Sequence, residues 1–308
     1  MVEFGIQLPI QSQSTIYVDD WERRAGPDEL ARAALQAEAS GFSYVAVCDH
    51  TCIPRRLAQA MGTTWYDTTA TLGWLAAVTT QVKLLSHVYI AALRHPLRAA
   101  KEFATIDVLS GGRLIIGTGA GHVPEEFDVM GVDFVGRGAL FDEALDALDA
   151  ALTEEFPTLP GPAWPASDLA VSPRPVQQPR PPFWIGGSSA PALRRAAARG
   201  DGWLPQTAKR SDMAELIPKL LAMRRELRPG SPPLAIGALG GPLHVGHPTW
   251  ELPRGSLAGS AEELAQSLAQ WVDMGVTSIQ VRFPSRSIDE LCDQMAAFGE
   301  GVMTLLAD

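Results

Sequence analysis

Short apolar runs recur along the chain, and each is followed by a longer stretch whose apolar positions fall at helical spacing. The runs cover 4–8, 44–48, 83–91, 114–118, 183–186, 202–204, 234–239 and 277–283. Most are rich in β-branched or aromatic residues, as strands buried on both faces require. The helical stretches cover 27–40, 67–79, 97–109, 137–155, 190–199, 211–228, 260–273 and 287–306. In the fourth, Leu140, Phe141, Ala144, Leu145, Leu148, Ala151 and Leu152 trace one face. Pro27, Pro96 and Pro191 stand where helices begin, a position that needs no amide donor. Gly41, Gly200 and Gly275 stand where helices end. Strand and helix alternate throughout, which predicts a parallel sheet closed into a (β/α)8 barrel. An open doubly wound sheet would show fewer alternations.

Three connections are too long for simple turns: 9–26, 51–66 and the proline-rich 156–182, which cannot be continuous helix. Barrel elements continue on both sides of each, so they read as insertions at the C-terminal rim of one barrel domain spanning 1–308.

Composition narrows the partners. A formal net charge of −10 argues against nucleic acid or an anionic membrane surface. No apolar run reaches the roughly 20 residues of a membrane span, and the first residues lack a basic–apolar leader pattern. A cytoplasmic protein acting on a small molecule is the expectation. Cys48, Cys52 and Cys292 form no disulfide framework, and Cys48-x3-Cys52 has no second cluster to complete a zinc site. No metal is expected.

Barrel enzymes carry their chemistry on the loops after the strands. Those ends hold Gln7, Asp49-His50, His87 with Tyr89, the glycine loop Gly117–His122, the turn Gly186-Gly187-Ser188-Ser189, Trp203 with Gln206, and Arg282. His50 beside Asp49 is the foremost general acid or base, because imidazole titrates near neutrality. His122, within the glycine loop, is the second candidate. His87 lies inside a strand, where packing competes with function; His95, before Pro96, reads as a helix-start residue. The turn at 186–189 opens a helix, whose unpaired amides suit a phosphate. Neither glycine loop has the Gly-Lys-Ser/Thr of a nucleotide-binding P-loop. Trp65 and Trp203 are candidates for an aromatic wall, with Trp74 assigned to the core. A metal-dependent hydrolase built on Asp49, His50, His87 and His122 is the competing class, but no His-x-His appears at the first strand.

The segments FGIQLP (4–9), VAVCDH (45–50), 94–127, 131–148 and 181–205 resemble the luciferase-like monooxygenase superfamily, and within it the coenzyme F420-dependent oxidoreductases. The resemblance implies the same barrel, with F420, or alternatively FMN, bound at the C-terminal mouth. It implies that Asp49 and His50 stand beside the reactive face of the ring. It also implies a non-proline cis peptide at His87-Val88 buttressing that ring, and phosphate and ribityl contacts from Gly119, Ala120, Gly121, His122, Gly186, Gly187, Ser188 and Ser189. Lys209 and Arg282 fall near positions where relatives hold anionic substrates. The sugar-phosphate dehydrogenase branch carries a glutamate acid in the glycine loop where this chain has His122, so that branch's substrate does not transfer. A homodimer is implied, and an FMN-dependent monooxygenase would need a flavin reductase as partner.

Overall fold

The computed structural model describes residues 2–15, 17–205 and 209–307. Eight of its strands close a parallel barrel: β1 (Glu3–Gln7), β2 (Tyr44–Val47), β3 (Lys83–Ser86), β5 (Leu114–Gly119), β6 (Phe183–Gly186), β7 (Gly202–Leu204), β8 (Ala235–Val245) and β10 (Ser278–Arg282). Pairing of β10 with both β1 and β8 closes the ring. Two short strands lie outside the eight, β4 (Tyr89–Ile90) and β9 (Leu257–Gly259). The helices are α1 (Pro27–Ala39), α2 (Ala58–Met61), α3 (Thr68–Val78), α4 (Pro96–Ser110), α5 (Pro124–Val129), α6 (Arg137–Thr153), α7 (Ala190–Arg199), α8 (Arg210–Leu227), α9 (Ala261–Val272) and α10 (Ile288–Ala297).

Every expected strand and helix of the alternation is present, and the differences are local. The third run breaks at a cis His87–Val88 bond, so that β3 pairs with the start of β5 and β4 with its end. The seventh strand runs on past residue 239 to Val245 and pairs with β9. The last helix leaves α geometry at Ala297 and continues as a π-helical turn, Phe298–Met303. The first turns follow their sequence signals. Glu29 reaches back to the Gly26 amide ahead of Pro27, and His95 Nδ1 accepts from the Leu97 amide at the start of α4. Of the expected helix-end glycines, Gly41 and Gly275 have positive φ, but Gly200 is extended; a Cβ there would lie 2.8 Å from the Ala196 carbonyl, so space is its requirement.

Two cores hold the barrel. The larger lies between strands and helices; strand side chains such as Ile6, Val45, Leu84, Ile185 and Trp203 meet the inner faces of the helices there. The smaller fills the barrel itself with Tyr44, Ala46, Leu85, Ile115, Trp184 and Leu204. Two large rings enter this narrow space because adjacent strands present glycine. A Cβ at Gly5 would lie 2.0 Å from the Tyr44 ring, and one at Gly202 would lie 2.5 Å from Trp184. The rings meet edge to face with centroids 5.6 Å apart. Below this plug, at the N-terminal end of the strands, a cavity of about 450 Å³ is lined by Glu3, Lys83, Arg113, Trp184 and Ser278 among others. The candidate chemistry gathers at the opposite end.

Candidate active site

Asp49 follows β2 and is consumed by structure. Its carboxylate takes a two-pronged contact from Arg94, at 2.5 and 2.8 Å, and accepts from the Ile90 amide at 2.8 Å and the Thr68 hydroxyl at 3.1 Å. Its side chain is 1% exposed. A buried carboxylate must be matched in this way. The result pins the end of β2 to the chain just beyond the cis bond. What Asp49 presents to the mouth is a fixed backbone rather than an open charge.

His50, the next residue, is bound from an unexpected side. Its Nδ1 lies 2.8 Å from Glu126 Oε2, and the other Glu126 oxygen accepts from the Thr51 amide at 2.7 Å. Glu126 sits on α5, a short helix that Pro124 opens directly after the glycine loop. Burial pushes its carboxyl up, but the hydrogen bond and charge of His50, with the amides of Thr51 and Cys52, outweigh that and leave it below the ordinary value. An ionised carboxylate only accepts, so Nδ1 carries the proton and Nε2 remains as the working nitrogen. The Trp65 ring packs edge-on at 4.5 Å, and His122 stands at 5.4 Å. His122 is exposed, yet desolvation and the nearby His50 push it below its ordinary value, with Glu126 opposing. His50 and His122 are thus brought together.

Beside them lies a surface made by absence of side chains. Val88, after the cis bond, bulges against the ends of β5 and β6. A Cβ at Gly119 would lie 2.9 Å from Val88 Cγ2, and one at Gly186 3.0 Å from Val88 Cγ1. Ala120 and Gly121 continue the first loop; Gly121 has φ +78 and is closed in by Phe127 and Ile90. Gly187, at φ +108, turns the chain into α7, where Ser189 accepts from the Ala192 amide. Ser188 lies between them, half-buried and hydrogen-bonded or in contact within the fold. His87 faces the barrel interior; burial holds it down at about 4, so it is neutral. Its Nδ1 lies 3.2 Å from Nε2 of Gln280 on β10.

Several expectations need correction. Trp203, expected at the substrate, is fully buried in the helix-side core; its indole N–H donates to the Gly187 carbonyl at 2.7 Å and so shapes that turn. Side chains alternate along a strand, and it is Leu204 that faces inward. Arg282 sits at the rim but 3.9 Å from both Asp19 and Glu22, so its charge is answered within the protein. Burial lowers Arg282 and raises both acids from their ordinary values. Lys209 is exposed at the start of α8, where its amide donates to Asp212. Trp74, assigned to the core, is 37% exposed. Arg56, exposed on the loop after β2, pairs with Glu125 and so ties that loop to α5. Gln206 lies outside the described residues. Among the described residues no cluster of metal-ligating side chains occurs, and Cys48 and Cys52 are unpaired.

Sequence reasoning missed Glu126, Arg94 and Gln280. A signal existed for the first: two glutamates follow Pro124 directly after the glycine loop, one turn from His122. For Gln280 the signal was alternation, since Ser278, Gln280 and Arg282 share one face of β10.

A sequence model described as luciferase-like monooxygenase matches residues 2–252. The uncharacterized protein Rv0953c of Mycobacterium tuberculosis is 28% identical over 298 residues, covering 90% of this chain and 93% of that protein. The coenzyme F420-dependent tetrahydromethanopterin reductase of Methanopyrus kandleri superposes with a TM-score of 0.75 at 20% identity, covering 98% of this chain and 99% of that one. Riboflavin lyase, solved with modified FMN and riboflavin, superposes with a TM-score of 0.82 at 14% identity, covering 100% and 91%.

Proposed function

Because the chain belongs to the luciferase-like monooxygenase family, we propose that it is an F420-dependent oxidoreductase moving a hydride between the deazaflavin and a small organic substrate. The observation that carries this reading is the His50–Glu126 pair, with His50 just beyond β2, the strand that pairs with the β3 run leading to Val88. A proton-handling nitrogen with a fixed tautomer next to an apolar surface is what a flat redox ring and its proton would require.

The residues present fit such a cofactor. Gly119 and Gly186 let Val88 seat closely against the ends of β5 and β6, and Val88 offers an apolar face for a ring. The amides of Gly187, Ser188 and Ser189 at the start of α7 suit a phosphate, and Gly119 ends the paired neighbouring strand β5, with Ala120, Gly121 and His122 following it. The bound cofactor would supply the hydride chemistry; the protein supplies everything around it. His50 holds or releases the accompanying proton at Nε2, while Glu126 fixes Nδ1–H and balances the imidazolium. Asp49 and Arg94 keep that rim rigid. The loops after β1 and β2 pair with each other through Gln13 and Thr64 and through Ser12 and Trp65, and so screen the mouth from water. His122 is a second proton carrier within reach of the first.

The likeness to riboflavin lyase with its modified FMN motivates a second reading, an FMN-dependent monooxygenase served by a flavin reductase. Fluorescence titration of the purified chain with F420 and with FMN decides between them. Saturable binding of F420 alone supports the first reading, and binding of FMN alone the second; binding of neither removes both. A homodimer in the cytoplasm belongs to either reading, and sedimentation analysis tests the oligomer.

A further inference from the structure

Gln280 is 6% exposed, and its Oε1 is buried without a hydrogen-bond partner. Buried polar atoms are nearly always paired, so an orphan on a barrel-facing side chain asks for a donor. The backbone there is irregular. β10 and β8 run in register up to Gln280 opposite Leu239, then skip Gly240 so that Val281 faces Gly241. Bulges of this kind re-aim side chains beside functional sites. The other end of the amide is held: Nε2 lies 3.2 Å from Nδ1 of the neutral His87 ring, a contact in which the amide donates when the ring carries its proton on the other nitrogen. That contact leaves Oε1 turned away from His87, the residue whose cis bond to Val88 forms the surface described above.

We propose that Gln280 Oε1 is the acceptor for the ring imide N–H of a flavin-type cofactor, with His87 holding the amide in that orientation; this rests on the reading of the mouth as a deazaflavin or flavin site. The pyrimidine ring shared by F420 and FMN carries one N–H between two carbonyls, which complements an uncharged acceptor. Arg282, the next inward residue on β10, is already matched by Asp19 and Glu22 and offers no such acceptor.

The test is a fluorescence titration of the full chain with F420 and with F420 methylated at that ring nitrogen, repeated for the corresponding FMN pair. The wild type is expected to bind the methylated form about tenfold more weakly, the loss of one buried hydrogen bond. Gln280→Leu and Gln280→Met are expected to bind the parent about tenfold more weakly and to stop discriminating between the two forms. Equal wild-type affinity for parent and methylated forms would overturn the assignment while leaving the site reading intact, since Oε1 would then serve water or substrate. Full parent affinity in Gln280→Leu would do the same. A wild type that binds neither cofactor overturns both conclusions.

Discussion

His50 Nδ1 and Glu126 Oε2 lie 2.8 Å apart across 76 residues of sequence, and this contact joins the loop after β2 to the helix after the glycine loop. Replacing Glu126 by Gln keeps the volume and removes the charge. At neutral pH it should cost about 1–3 kcal/mol of stability and slow turnover with whichever of F420 or FMN binds by at least tenfold, with a smaller effect on cofactor affinity. The stability difference has a definite pH sense. The folded carboxyl sits below its ordinary value, so its contribution is complete above about 4.5 and disappears as pH falls through the folded value. Urea titrations of both proteins at pH 7 and pH 3.5 should show the gap closing at the lower pH.

His87 makes a second pH-dependent contribution. Its folded value is held down at about 4 by burial against an ordinary 6.5. Between these values the unfolded chain binds the proton and the folded chain does not, so stability falls as pH falls through that window. The contribution is roughly 3 kcal/mol, because each pH unit separating the folded and unfolded values is worth about 1.4 kcal/mol. A His87→Gln variant, followed by thermal unfolding from pH 7 to pH 4, should lose less stability than the wild type over that range.

The glycines under Val88 should resist even the smallest addition. Gly119→Ala places a methyl 2.9 Å from Val88 Cγ2. About 1–3 kcal/mol of destabilisation is expected from overpacking, together with weaker binding of F420 or FMN as Val88 is displaced. Gly131→Ala, where nothing lies within 4 Å of a Cβ but φ is +70, should be destabilised by backbone strain alone and leave cofactor binding unchanged.

Asp49→Ala should be more damaging to the fold than to any chemistry. It strands the Arg94 guanidinium and the Ile90 amide and removes a buried charge pair, a loss of about 3 kcal/mol or more. Arg94→Ala should resemble it in denaturant midpoint. If Asp49→Ala instead left stability untouched and abolished only turnover, the structural role assigned to it would be wrong.

The barrel was legible because its signal is repeated and local. Each strand announced itself as a short apolar run and each helix by its spacing, with a proline at the start or a glycine at the end of several. His50 and the glycine turns were legible for the same reason, since they lie at strand ends that a barrel brings to one rim. The partner of His50 was not, because the short helix carrying Glu126 lies two strands away and no periodicity links the two. Trp203 misled in the opposite way: its place at a strand end was right, but the alternation of faces turns it outward. Arg282 was placed correctly at the rim, whereas the acids that answer its charge come from the loop after β1, whose path no pattern in the sequence describes.

The Tyr44 and Trp184 rings, seated against Gly5 and Gly202, have a consequence for traffic. They fill the barrel between the lower cavity and the strand ends that carry His50 and His122, so packed side chains separate the two ends. Water in the lower cavity therefore meets two aromatic rings before it meets the opposite rim.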